Sequence, residues 1–346
     1  MNKTAAHKSS VSVQIIGLHV GGVSTHKTSL VRGRCVLKKY QSGSTDLGVH
    51  ETICNRLQMT LGKLPWDSAG AHFHFESSES SNSPLFWEAF STEIGPVPHS
   101  DPDSFLLEKI SDLGGAQVFC LDAPLSFPTC TACLRDCPGV SMCPEPAVQG
   151  MIRLWNEDKQ FQEKRSKMPL PHTERFFEAY ARRRYEHSTW LGILDLESAL
   201  SSNKAPLTAR AHHLSRRLKQ LFPNAIVLET HPWLAAMGWA LHSGYRLNQV
   251  SELRQPDAGR IYRAGLLKKI ELEKIALRSA TFMEDLFVEL SDHVELFAAS
   301  MSALSAWGLL NGLVDIQPSF LNQGQGDIMT GWALVPRELA TYGWGH

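Results

Sequence analysis

Ala116-Gln117-Val118-Phe119-Cys120-Leu121-Asp122-Ala123-Pro124-Leu125 is the stretch on which the fold turns. An unbroken apolar run between Gly114-Gly115 and a polar turn has the length and flanks of a strand buried on both faces. Ahead of it, the spacing predicts a helix capped by Asp103 and ending at Gly114-Gly115; beyond it, Ala225-Ile226-Val227-Leu228-Glu229 repeats the pattern of an apolar strand ending in an acid. Nearer the start, Val11, Val13 and Ile15 alternate with Ser12, Gln14 and Ile16 and run into Gly17-Leu18-His19-Val20-Gly21-Gly22. Lys27 to Arg34 and Cys35 to Tyr40 read as two further strands with a turn at Gly33. An antiparallel start followed by alternating helix and buried strand predicts an α/β fold, a mixed β-sheet flanked by helices.

The rest of the chain is read around that sheet. Residues 46–63 have helical spacing, 71–75 alternate like a strand, and 76–102 form a Ser- and Pro-rich loop. Helical patterns cover 233–243, 258–280 and 292–310. Residues 127–220 differ in character, with a cysteine cluster and basic helices, so 1–346 reads as one elaborated domain with an insertion at 127–220.

Composition narrows the function classes. With 346 residues, 43% hydrophobic and 20% charged, the chain is globular in type and no apolar run approaches a membrane span. The polar start lacks the apolar core of a signal peptide, which predicts a cytoplasmic protein with no membrane partner. A net charge of −1 argues against coating nucleic acid by basicity alone. Residues 151–220, however, hold 14 Lys/Arg against 8 Asp/Glu. Such a face either attracts a polyanion or is simply solvated.

Reacting groups in sheets of this kind gather where strands end. His19, Asp122 and Glu229 each end a predicted strand and precede a turn. Two divalent cations held by several carboxylates can activate water and steady the leaving oxygen in phosphodiester hydrolysis, and Asp122, Glu229 and Glu295 supply three. Each has a plainer reading: Asp122 as a turn cap, Glu229 as the partner of an arginine, and Asp292 with Glu295 as a capping box opening the last long helix.

In order along the chain, Gly17-Leu18-His19-Val20-Gly21-Gly22, Leu121-Asp122-Ala123-Pro124-Leu125-Ser126, Val227-Leu228-Glu229-Thr230-His231-Pro232, Tyr245-Arg246, Asp292-His293-Val294-Glu295-Leu296 with small residues after it, and Gly331-Trp332-Ala333-Leu334-Val335-Pro336 resemble the domain-of-unknown-function family 429. Its members are described as nucleases of ribonuclease H-like fold. The resemblance implies a metal-dependent nuclease acting on nucleic acid, with catalytic groups at position 19, Asp122, Glu229 and Glu295 and Mg²⁺ or Mn²⁺ between them. Aspartate is the residue it implies at position 19, where this chain has His19. Magnesium prefers oxygen ligands and imidazole suits softer ions, so His19 is expected to act as a ligand for a softer metal or as a base. The competing expectation is a non-catalytic binding or scaffold protein on the same fold. A kinase-type phosphate loop at Gly21-Gly22-Val23-Ser24-Thr25 ranks third, because the second acid-glycine loop such enzymes need is missing from the sequence.

Cys130, Cys133, Cys137 and Cys143 fall within fourteen residues. Four thiolates on one short loop are the ligand set of a structural zinc, with an iron–sulfur cluster ranked behind it. Cys35, Cys54 and Cys120 lie in predicted elements and are assigned to the core, as are Trp233, Trp239 and Trp307. Arg175, Arg210, Arg217 and Arg246 are the candidates for phosphate contact. Leu214, Leu218 and Leu221 give the helix after Arg210 an apolar stripe.

Overall fold

A computed structural model describes residues 10–21, 28–38, 85–88, 101–131, 133–164, 167–176, 178–179, 182, 198–272, 280–281, 284–310, 314–316 and 334–336. The readings made for 46–63, 71–75 and Cys54, and most of 76–102, lie outside them. The main sheet contains β1 (Ser10–His19), β2 (Ser29–Lys38), β3 (Leu85–Glu88), β4 (Val118–Leu121), β5 (Ile226–Glu229) and β6 (Ala280–Thr281) in the order β5-β4-β1-β2-β3-β6. β1, β2 and β3 are antiparallel, while β4 runs parallel to both β1 and β5, and β6 parallel to β3. The mixed α/β sheet expected from the sequence is therefore present. A separate antiparallel pair joins Val314–Ile316 to Leu334–Pro336.

The two-residue period of the strands sorts the core into two layers. Val13, Ile15, Val31, Val118, Cys120 and Leu228 pack under α5 (Pro232–His242), α7 (Gly259–Leu272) and α9 (Val294–Leu310). Ile16, Leu18, Leu30, Phe119, Leu121 and Val227 pack under α1 (Pro102–Asp112) and α4 (Ala205–Leu221). Between these lie α2 (Pro146–Glu157), α3 (Lys159–Lys164) and α6 (Leu247–Glu252), with α8 (Glu284–Asp292) leading into α9. Trp239 and Trp307 are fully buried, as the sequence suggested, and so are Cys35 and Cys120. Trp233 is partly buried against Phe297.

Gly17 is where β1 meets α9. A β-carbon there would stand 2.0 Å from the Ala299 carbonyl oxygen and 2.8 Å from the Ala303 nitrogen, so only glycine lets the helix lie this close. The small residues of α9 are the other half of that contact.

Four readings need correction. Gly33 is not a turn: β2 runs through it as one strand, pairing it with Ile15 on one side and Trp87 on the other. The cap of α1 is Asp101, whose Oδ1 accepts the Asp103 N–H at 3.1 Å, and Asp103 sits inside the first turn. Asp292 ends α8 and opens no capping box, and the helix beginning near 258 is described only to Leu272. Leu221, at the end of α4, is half exposed, while Leu214 and Leu218 carry the burial.

Candidate active site at the ends of β1 and β4

β1 and β4 are neighbours with Gly17 opposite Cys120 and Leu18 opposite Leu121, so the residues one step beyond, His19 and Asp122, emerge together. The Asp122 N–H donates to the Leu18 carbonyl at 3.2 Å, holding the turn against the end of β1. His19 Nδ1 is hydrogen-bonded to Asp122 Oδ2, and Asp122 Oδ1 accepts the Val20 N–H at 2.7 Å. The Asp122 side chain is almost completely covered, while that of His19 keeps 21% of its surface.

Charge at the pair is set by opposing effects. Burial by itself would lower the His19 pKa, but the Asp122 carboxylate in contact with it, helped by Glu295 at the start of α9 and opposed by Lys204, holds it above its ordinary value. For Asp122, burial pushes upward and loses to His19, the Val20 N–H and Lys204, so its pKa is lowered. When both ring nitrogens are protonated the pair is an imidazolium on a carboxylate, and Nε2 then carries a proton that can be donated. His231, just after β5, is driven the other way, to about 3, by burial first and then by Lys204 and Arg254. Its Nδ1 accepts the Leu234 N–H at 3.2 Å, which leaves the proton of the neutral ring on Nε2.

Glu229 does not join this pair. It lies opposite Leu121, whose side chain belongs to the α1 and α4 layer, whereas Cys120 and hence Asp122 belong to the other. Arg175 meets it there: the two terminal nitrogens donate to Glu229 Oε1 and Oε2, each at 2.7 Å, and the Leu125 N–H donates to Oε2 at 2.8 Å. The same guanidinium donates through Nε to Glu178 Oε1 at 2.8 Å and through a terminal nitrogen to Ser126 Oγ at 3.1 Å. Arg175, Glu178 and Glu229 are all buried. Burial alone would lower the Arg175 pKa, but Glu178 and Glu229 keep it raised; burial raises Glu178 despite its arginine partner.

These groups do not fit a site for two divalent cations. Asp122 is paired with His19 and Glu229 with Arg175, so the charge of each acid is already balanced by a side chain of the protein. Among the described residues, no three His, Cys, Asp or Glu side chains are arranged around a common ion position.

The phosphate candidates divide similarly. Arg175 is held by the two glutamates. Arg210 donates to Asp103 at 2.6 and 2.9 Å and to the Gly21 carbonyl, while Arg217 donates to Asp101 at 3.0 Å and Ser104 at 2.9 Å. Both tie α4 to the start of α1, because 210, 214 and 217 share one helical stripe. Arg246 is exposed just before α6.

In the insertion, Cys130 lies in a single helical turn, Thr129–Thr131, and Cys143 follows another, Val140–Met142. Burial first, then the charges of Cys143, Cys133 and Cys137, raise the Cys130 thiol, although no three of these cysteines surround a common ion position. Cys133 and Cys137 are exposed and Leu134 between them is wholly so. Two groups of the site region escaped the sequence reading, Lys204, which gave no signal, and Glu178, which the Arg-x-x-Glu spacing after Thr173-Glu174 marks as a helical neighbour of Arg175; His231 stood in the Glu229-Thr230-His231-Pro232 motif without a role.

The chain matches no protein-family model, no curated protein and no solved structure.

Proposed function

We propose that this protein has a ribonuclease H-like core and cleaves phosphodiester bonds of nucleic acid, with His19 and Asp122 as its acid–base pair. The observation that carries the reading is the His19–Asp122 contact at adjoining strand ends, with the His19 side chain partly exposed. The strand order supports the fold, with antiparallel β3-β2-β1 joined through β1 to parallel β4 and β5. In the reaction, a water attacks the phosphorus and loses its proton to solvent, the bond from phosphorus to the leaving oxygen breaks, and His19 protonates that oxygen while Asp122 fixes the ring. Lys204 adds positive charge on the same side. A positioned acid of this kind contributes about 10²- to 10⁴-fold to rate.

One observation favours a second reading, a non-catalytic binding protein. Arg175, Arg210 and Arg217 are all engaged by carboxylates of the protein itself, which leaves little fixed positive charge for gripping a phosphate backbone. Hydrolysis of single- and double-stranded DNA and RNA by the natural protein and by Asp122→Asn separates the two. Cleavage lost at least a hundredfold in the variant supports the acid–base pair. Binding without cleavage in either protein replaces it with the second reading.

A further inference from the structure

We propose that a protein cation stands in for a metal ion at this site: His19 holds Asp122, while Glu229 is taken up separately by Arg175, so the centre takes a phosphate directly and binds no divalent cation. The inference rests on the reading of this place as a phosphodiester-cleaving centre and deepens it. A hard divalent ion needs several oxygen ligands with lone pairs to give and a surplus of negative charge around them. Here the Asp122 oxygens accept from His19 and Val20, and those of Glu229 from a forked guanidinium and the Leu125 N–H. To take an ion at Glu229, the chain would have to open a bidentate pair whose three members are buried, and leave Arg175 facing Glu178 alone.

The sequence departure and the geometry agree. An aspartate at position 19 would place two carboxylates side by side at the ends of β1 and β4, an arrangement that repels itself unless a cation lies between. Histidine removes the repulsion and supplies the cation. It also changes the ligand: a partly exposed histidine held by Asp122 offers, when protonated, a hydrogen-bond donor to an oxyanion where a second carboxylate would repel it.

Binding of Mn²⁺ alone, followed by electron paramagnetic resonance without substrate, tests this. Manganese is chosen because thiolates hold it poorly, which keeps the cysteine loop out of the measurement. The natural protein is expected to show no site tighter than about 1 mM, and His19→Asp, with two adjoining carboxylates, to bind at least about tenfold more tightly. Circular dichroism reports whether that variant folds. If it does not, His19→Asn, which removes the cation and leaves Asp122 uncompensated, is expected to move binding in the same direction. The proposal is overturned if the natural protein binds Mn²⁺ at about 0.1 mM or tighter and Asp122→Asn or His19→Gln abolishes it, or if a folded His19→Asp binds no better than the natural protein. Because no substrate is present, tight Mn²⁺ binding sinks this proposal alone, whereas absence of cleavage in every protein sinks the phosphodiesterase reading and leaves this one standing.

Discussion

Arg175→Met removes the cation from between two buried carboxylates while keeping most of the side chain's volume. Glu229 and Glu178 are 4% and 3% exposed, and their shared guanidinium makes three of its hydrogen bonds to them. Deleting one member of a buried ion pair leaves an uncompensated charge and costs about 3–5 kcal/mol. At about 2 °C per kcal/mol for a chain of this size, the melting temperature should fall by about 6–10 °C. The pH dependence is the sharper mark. Without the arginine, the burial that already raises the Glu178 pKa is less opposed, so the folded variant binds that proton before the unfolded chain does and gains stability as pH falls. Urea denaturation from about pH 7.5 down to about pH 5 should show the deficit shrinking toward the acid end. Adding Glu178→Gln and Glu229→Gln should recover at least about half of it. A loss under about 1 kcal/mol, unchanged with pH, would refute the reasoning, because an exposed pair behaves that way.

The other expectations follow from single contacts. His231 has a folded pKa pushed to about 3 against an ordinary 6.5, so the stability it contributes is whole above 6.5 and declines as pH falls toward 3. The slope is about 1.4 kcal/mol per unit, on the order of 2 kcal/mol by pH 5, and His231→Gln should remove that part of the acid loss in denaturation curves. Gly17→Ala pushes a methyl into the α9 backbone at Ala299 and should destabilise the fold by about 1–3 kcal/mol or more, read as a shift in urea midpoint at constant slope. The spacing of Cys130, Cys133, Cys137 and Cys143 predicts about one equivalent of zinc, which would need exposed Cys133 and Cys137 to close onto Cys130 and Cys143; metal analysis giving less than about half an equivalent decides for plain reduced thiols.

The frame of the protein was legible because its signals are local and periodic. The apolar run ending at Asp122, the second run ending at Glu229, and the alternation before Gly17 placed β4, β5 and β1 within a residue or two. Gly33 misled because glycine marks turns, whereas here it sits in a strand paired on both edges, a fact of partners far along the chain. The site was half legible. Strand ends pointed to His19, Asp122 and Glu229, but their chemistry depended on which layer each faced and on what lay across from it. Counting along β5 would have put Glu229 on the Val227 side. Nothing local says that Arg175, some fifty residues earlier, reaches it. The same holds for Arg210 and Arg217, basic by composition and yet paired with Asp103 and Asp101 at the start of α1. Charge along a sequence counts cations; only the fold tells which remain for a ligand.

The central claim is that the His19–Asp122 pair cleaves phosphodiesters by acid–base action with no divalent ion. Cleavage of end-labelled single-stranded RNA and DNA in excess chelator, with the natural protein and Asp122→Asn side by side, tests it most directly. The account predicts cleavage that persists in chelator, gains nothing from added Mg²⁺ or Mn²⁺, and disappears with Asp122→Asn. Cleavage that appears only when Mg²⁺ or Mn²⁺ is restored would contradict it.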